Sequence, residues 1–83
     1  MMKITSPEQL AIFLKDVRKT KKLPQGLLAE KVGLRQETIS KFENSPAKTQ
    51  IDTLFKILSA MNMELHLETR GEKTRQQGWK EEW

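Results

Sequence analysis

Apolar and polar positions follow helical spacing in four stretches of this chain and strand spacing in one. In the first stretch Leu10, Phe13, Leu14 and Val17 recur at i, i+3, i+4 and i+7, while Lys15, Asp16, Arg18 and Lys19 take other faces. Just before them Ser6 offers a capping hydroxyl, Pro7 suits the first helical position, and Gln9 stands where a capping box places its glutamine, so a helix is predicted to start here. A second helix, over about residues 25–32, buries Leu28, Ala29 and Val32, and Gly33 supplies the left-handed residue on which it stops. After a very short turn through Leu34, a third helix faces Ile39 and Phe42 inward and leaves Gln36, Glu37, Ser40, Lys41 and Asn44 on the opposite side.

The fourth helix is predicted from Thr49, with Asp52 completing an imperfect capping box and Ile51, Leu54, Phe55 and Leu58 on the stripe that closes the core. It carries a second apolar line, Leu54, Ile57 and Met61, wider than one small bundle needs to bury and suited to a twofold partner. Beyond it Met63, Leu65 and Leu67 alternate with Glu64, His66 and Glu68, a strand pattern too short to be stable unpaired. No second strand is visible elsewhere. The economical solution is one strand from each of two chains, paired in an intermolecular ribbon over the dimer seam; a frayed extension is the alternative.

From Thr69 onward the composition shifts to Gly, Lys, Arg, Gln and Glu without a core pattern, interrupted by Trp79 and Trp83. The chain therefore divides into residues 1–68, a folded and dimerising unit, and 69–83, a flexible tail. Exposed indoles carry apolar area that binding can bury, so a docking peptide stands against an inert tail.

With 83 residues there is room for one small domain, and with no cysteine neither disulfides nor thiolate metal sites can staple it, which leaves oligomerisation as reinforcement. A net charge of +4 makes nucleic acid the leading partner class. No apolar run approaches the roughly 20 residues that span a bilayer, and the hydrophobic block of a secretory signal is absent, so the expected location is the cytoplasm, with no membrane partner.

Residues 25–46 have the build of a helix-turn-helix, and a helix of this kind fits the major groove with its N-terminal side chains at base edges. Gln36 can bond adenine in bidentate fashion, Arg35 can take guanine or a phosphate, and Ser40 and Lys41 lie one turn further along. Glu37 has two readings, acceptance from the exocyclic amine of cytosine or mere solubility. Gln25 and neighbouring backbone at Gly26 sit where the second helix points its positive end at phosphate, and Thr38 and Asn44 complete the expected phosphate contacts. Lys19, Lys21 and Lys22 either complement the first helix's dipole on a solvated face or approach phosphate.

Enzymatic chemistry finds little footing. His66 is the only histidine and stands on a predicted strand without a cysteine or a carboxylate cluster at metal-ligand spacing, and no glycine-rich phosphate loop or nucleophile elbow is present. Neither a metal nor a cofactor is expected.

The run QGLLAEKVGLRQETISKFEN resembles Xre/Cro-type repressor domains in its glutamine, Leu-Ala, Val-Gly, glutamine, Ile-Ser and Phe-Glu-Asn pattern. More narrowly, Ser6-Pro7, Gln9-Leu10-Ala11, Arg35-Gln36, Thr38-Ile39-Ser40, Phe42-Glu43-Asn44, Pro46, Phe55-Lys56-Ile57-Leu58 and Glu82-Trp83 resemble the HipB antitoxins, over nearly the whole chain. That resemblance implies an all-α helix-turn-helix bundle of four or five helices with a short C-terminal β-strand paired across a homodimer. It also implies palindromic operators with inverted repeats in the chain's own promoter, and a HipA-type serine/threonine kinase toxin as partner. By carry-over Arg35, Gln36, Glu37 and Ser40 occupy base-reading positions and Trp83 the kinase-docking position, with Trp79 beside it.

Three positions depart from the family pattern. Pro24 stands where Thr or Ser is usual, removing a capping oxygen worth about 1 kcal/mol. Gly26 replaces a better helix former, and Glu37 stands where a small residue occurs. The expected function is that of an autorepressing antitoxin. A plain repressor without a toxin, and a kinase-binding module without specific DNA binding, are the competing readings.

Overall fold

The computed structural model describes residues 3–70, so the tail positions Trp79 and Trp83 lie outside the described residues. Four α-helices, α1 (Pro7–Thr20), α2 (Gln25–Lys31), α3 (Gln36–Asn44) and α4 (Ile51–Ala60), are joined by short turns, with a single 3-10 turn at Pro46–Lys48 before α4. α3 packs on α2 and α1, and α4 packs on α2. The shared core consists of Ala11, Leu14, Leu28, Ala29, Ile39, Phe42, Ile57, Leu58 and Met61.

The start of α1 is as its residues dictate. Ser6 is extended, its Oγ accepts from the Gln9 backbone N–H at 3.1 Å, and Pro7 opens the helix. The Gln9 side chain reaches back to the N–H of Thr5 at 2.7 Å, one residue earlier than a capping box would place it. Ala11, Leu14 and Arg18 form the buried side, with Leu10, Phe13 and Val17 packed half-buried beside them. Arg18 is thus not on the solvated face expected for it. It follows Leu14 by four residues and Ala11 by seven, which places it on the buried stripe.

Three helices end on one device. Lys22, Gly33 and Asn62 adopt left-handed φ values of 55°, 71° and 59°. The next residue in each case donates back over the last turn: Leu23 to the Arg18 carbonyl (3.0 Å), Leu34 to Ala29 (2.9 Å) and Met63 to Leu58 (2.9 Å). Orphan carbonyls are satisfied, and Leu23, Leu34 and Met63 are folded back against the core. Val32, expected in the core, is the C-cap residue of α2 and half-buried, and Leu34 beyond the turn is packed against the core.

α4 corrects two expectations. Thr49 does not cap it: its N–H is taken by the Pro46 carbonyl at 3.0 Å as the 3-10 turn closes, Gln50 becomes the cap without a side-chain bond, and the helix begins at Ile51. The two apolar lines are also partly exchanged, although Leu58 is in the core as expected, 3% exposed. Ile57 and Met61, assigned above to a partner, are 1% and 2% exposed in the single chain, whereas Ile51 and Phe55, assigned to the core, are 70% and 48% exposed. Leu54, common to both lines, is half-buried. Spacing along one helix is symmetric between two such lines; the side that meets α2 decides.

Met63 is packed against the core, and Leu65 and Leu67 are exposed. Among the described residues there is no β-strand, as a single chain offers residues 63–68 no second edge to pair with.

Candidate nucleic-acid interface

α2, the turn through Gly33 and Leu34, and α3 form the helix-turn-helix. α3 is anchored by Ile39 and Phe42, which are 0% and 3% exposed, so its opposite side is committed to solvent. Gln36, Glu37, Lys41 and Asn44 are exposed there, Ser40 is half-buried, and Asn44 Nδ2 donates to Ser40 Oγ at 3.3 Å. Arg35, also exposed, is the N-cap residue of α3 and makes no capping bond with its side chain. Thr38 is half-buried in the first turn, its N–H donating to the Arg35 carbonyl at 3.0 Å. The helix therefore presents Arg35, Gln36, Glu37, Ser40, Lys41 and Asn44 along one side.

Behind this row lies a buried ion pair that spacing did not reveal. Arg18 Nε donates to Glu43 Oε2 at 2.6 Å and Arg18 Nη2 to Glu43 Oε1 at 3.1 Å, while Arg18 Nη1 donates to the Leu23 carbonyl at 3.0 Å. The two side chains are only 10% and 4% exposed. Burial pushes the Glu43 carboxyl up, but hydrogen bonds from Arg18 and Gln25 and the positive charges of Arg18 and Lys15 outweigh it and hold the group below its ordinary value. The fork ties the end of α1 to α3. The signal that could have found it is the pair of charged residues on otherwise apolar stripes, Arg18 after Ala11 and Leu14, and Glu43 next to Phe42 and four residues after Ile39.

Gln25, expected on phosphate, is bound within the protein. Its Nε2 donates to Glu43 Oε1 at 2.9 Å and its Oε1 accepts from Gln36 Nε2 at 3.4 Å. The site residues Gln25 and Gln36 are thus brought together across the turn. Pro24 caps α2 with an extended backbone and no side-chain bond, and the first helical bond, Leu28 N–H to the Pro24 carbonyl at 3.0 Å, is intact. Proline leaves the helix start where it was expected.

At Gly26 an added Cβ would meet only Gln36 Oε1, at 3.9 Å, an ordinary contact. Gly26→Ala is expected to stabilise the fold by up to about 0.5–1 kcal/mol in urea unfolding, since alanine has the better helix propensity. A simultaneous loss of DNA affinity would identify Gly26 as a place where backbone approaches phosphate; unchanged affinity would remove it from the contact set.

A shallow surface hollow of about 390 Å³, lined by Lys21, Leu23, Lys31, Ala60, Met61 and Asn62, takes no residue from α3. His66 and Glu64 contact each other at 2.8 Å, both exposed, and among the described residues no cluster of side chains could hold a metal ion.

Residues 14–67 match the family model described as Helix-turn-helix. Over 65 residues, 78% of this chain and 69% of the relative, the sequence is 46% identical to antitoxin HipB of Escherichia coli O6:H1. The chain belongs to the HipB antitoxin family. Its fold superposes on HipB in a HipB–O4 20mer complex with a TM-score of 0.82 at 43% identity, covering 84% of this chain and 99% of the other. A HipA–HipB–O2–O3 complex gives a TM-score of 0.83 at the same identity and coverage. HipB proteins are antitoxins built on a DNA-binding fold, not enzymes. In this member the described residues form four α-helices, and the polar side of α3 is carried on a helix-turn-helix frame.

Proposed function

We propose that this chain is the antitoxin of a toxin–antitoxin pair, a homodimeric repressor of its own promoter that also binds a HipA-type serine/threonine kinase toxin. The observation that carries the reading is the solvent-facing row on α3, held rigidly by Ile39 and Phe42, in a chain whose relatives were solved on the O4 20mer and with HipA. α3 enters the major groove. Gln36, with Arg35, Glu37, Ser40 and Lys41, reads base edges, while Thr38, Asn44 and the backbone at Gln25 and Gly26 position the protein on phosphates. Two such helices about 34 Å apart fit inverted half-sites one helical turn from centre to centre, and occupancy occludes the promoter.

The second copy covers the apolar surface that the single chain leaves open. Ile51, Phe55, Leu65 and Leu67 are the exposed members, with Leu54 and Met63 half-buried at its edge, and pairing of residues 63–68 between copies supplies the missing strand partner. Residues 1–68 act as the DNA-binding and dimerisation unit and 69–83 as the segment that engages the kinase through Trp83 and Trp79. No described helix is long and apolar enough to cross a membrane, which is consistent with a cytoplasmic protein working on DNA.

Gel-shift titration against the chain's own upstream DNA at several salt concentrations tests the reading. Affinity should fall with salt as phosphate contacts are screened, and Gln36→Ala should cost about 1–3 kcal/mol and relax one base position. Binding without sequence preference would exclude a repressor. Deleting residues 79–83 should weaken kinase binding and spare the operator complex; equal kinase affinity would leave the tail without its role.

A further inference from the structure

Three of the four helices end around one hollow. Lys21 is the C-cap residue of α1, Lys31 is the last residue of α2, and Met61 and Asn62 close α4; with Leu23 and Ala60 they border about 390 Å³ of surface space. The floor is apolar and the rim is positive. Leu23 and Ala60 are half-buried and Met61 is 2% exposed, whereas both lysines stand in solvent and, among the described residues, neither is paired with a carboxylate. Leu27, 47% exposed and one turn before Lys31, adds apolar surface on the same side of α2. Complementing the negative end of a helix accounts for a lysine at each terminus, but not for two of them on the border of one apolar hollow.

Such a place suits a ligand with an aromatic body and a carboxylate. An indole buries a large apolar area, its face attracts ammonium groups, and a neighbouring carboxylate pairs with the remaining charge. The chain carries this chemistry itself: its two tryptophans stand in one segment, Trp79-Lys80-Glu81-Glu82-Trp83, with two glutamates between them. In an extended segment Trp79, Glu81 and Trp83 share a side and Lys80 is turned away. Length also permits the return. Asn62, on the wall of the hollow, lies eight residues before Arg70, where the described residues end, and Trp79 lies nine residues after it. At about 3.3 Å per residue the return leg can cover whatever distance the outward leg takes, and closing so short a loop costs little entropy.

We propose that residues 79–83 dock in this hollow of their own chain, an indole over Leu23, Ala60 and Met61 and the carboxylates of Glu81 and Glu82 on Lys21 and Lys31. The hollow takes no residue from α3, so the segment can be held while α3 faces DNA. A segment held there is withheld from other partners, and a kinase that engages Trp83 and Trp79 has to displace it; this consequence rests on the kinase-binding reading, whereas the docking does not.

Tryptophan fluorescence of the full chain tests the docking without the kinase, because both indoles lie in this segment and the chain has no tyrosine. Acrylamide quenching should be several-fold weaker in wild type than in a synthetic peptide of residues 69–83, with emission shifted to the blue. Lys21→Glu with Lys31→Glu should raise quenching to the level of the peptide. Glu81→Lys with Glu82→Lys, which lies outside the described fold, should do the same, and all four changes together should restore protection. Thermal melting checks the lysine variants; if they do not fold, the glutamate pair decides alone. Wild-type quenching equal to that of the peptide would overturn the proposal. So would protection that survives both charge reversals, because the indoles would then be covered elsewhere, as over Phe55 and Leu65. Protection lost on dilution would put the segment on a second copy and overturn its assignment to its own chain.

Discussion

Arg18→Ala should destabilise the domain by about 3–5 kcal/mol, the range for removing one partner of a buried ion pair and leaving the other unpaired. Small domains have only about 5–15 kcal/mol in total, so this single change removes a large part of the fold's stability. The cost has two parts. Glu43, 4% exposed, would retain a charge facing only the Gln25 amide, and the Leu23 carbonyl would lose its donor from Arg18 Nη1. The double variant Arg18→Met with Glu43→Leu should recover much of the loss, because well-packed apolar groups of similar size often replace a buried pair at little cost. A urea-melt cycle over the four proteins measures this. If Arg18→Ala costs less than about 1 kcal/mol, the fork does not clasp α1 to α3.

The same pair gives stability a dependence on acid. With its pKa lowered in the folded chain, Glu43 contributes fully above the ordinary glutamate value, ~4.3, and the contribution is lost as pH falls through the lower folded value. Wild type should therefore weaken on acidification below about pH 4 more steeply than the Arg18→Met, Glu43→Leu double variant, which lacks the group.

What the sequence made legible, and what it hid, follow from how local each cause is. The cap of α1 was readable because Ser6, Pro7 and Gln9 act within one turn. The anchored side of α3 was readable because Ile39 and Phe42 are its only large apolar residues, so no rival face existed. Gly33 and Asn62 are residue types that enter the left-handed region readily; Lys22 is not, and its role at the end of α1 left no trace in spacing. Charge obscured Arg18, since a basic residue on a helix ordinarily reads as solvated and its partner Glu43 lies 25 positions away. The chain of hydrogen bonds from Glu43 through Gln25 to Gln36 leaves α3, crosses to α2 and returns to α3, and only the packing of the two helices brings it into being. Gln25 and Gln36 were both singled out, yet for different tasks, and nothing in their positions along the chain said that they touch.

α4 poses the sharpest division between core and partner surface, because two apolar lines share Leu54. Ile57→Ala should lower monomer stability by about 2–5 kcal/mol, the cost of removing a fully buried branched side chain and leaving a cavity among neighbours that cannot collapse into it. For a domain of this size that corresponds to a fall in melting temperature of about 8 °C or more. Ile57 is 1% exposed, and Leu58 and Met61 beside it are equally enclosed, so the loss arises within one chain and should not depend on protein concentration. Ile51→Ser and Phe55→Ser act on side chains that are 70% and 48% exposed and should leave the unfolding of the monomer within about 1 kcal/mol of wild type. Their effect belongs to association: sedimentation equilibrium should show a weaker dimer, and operator affinity should drop because two half-sites then have to be filled by separate chains. The opposite pattern, with Ile57→Ala sparing the monomer and weakening the dimer, would restore Leu54, Ile57 and Met61 to the seam and require α4 to be seated on its other side.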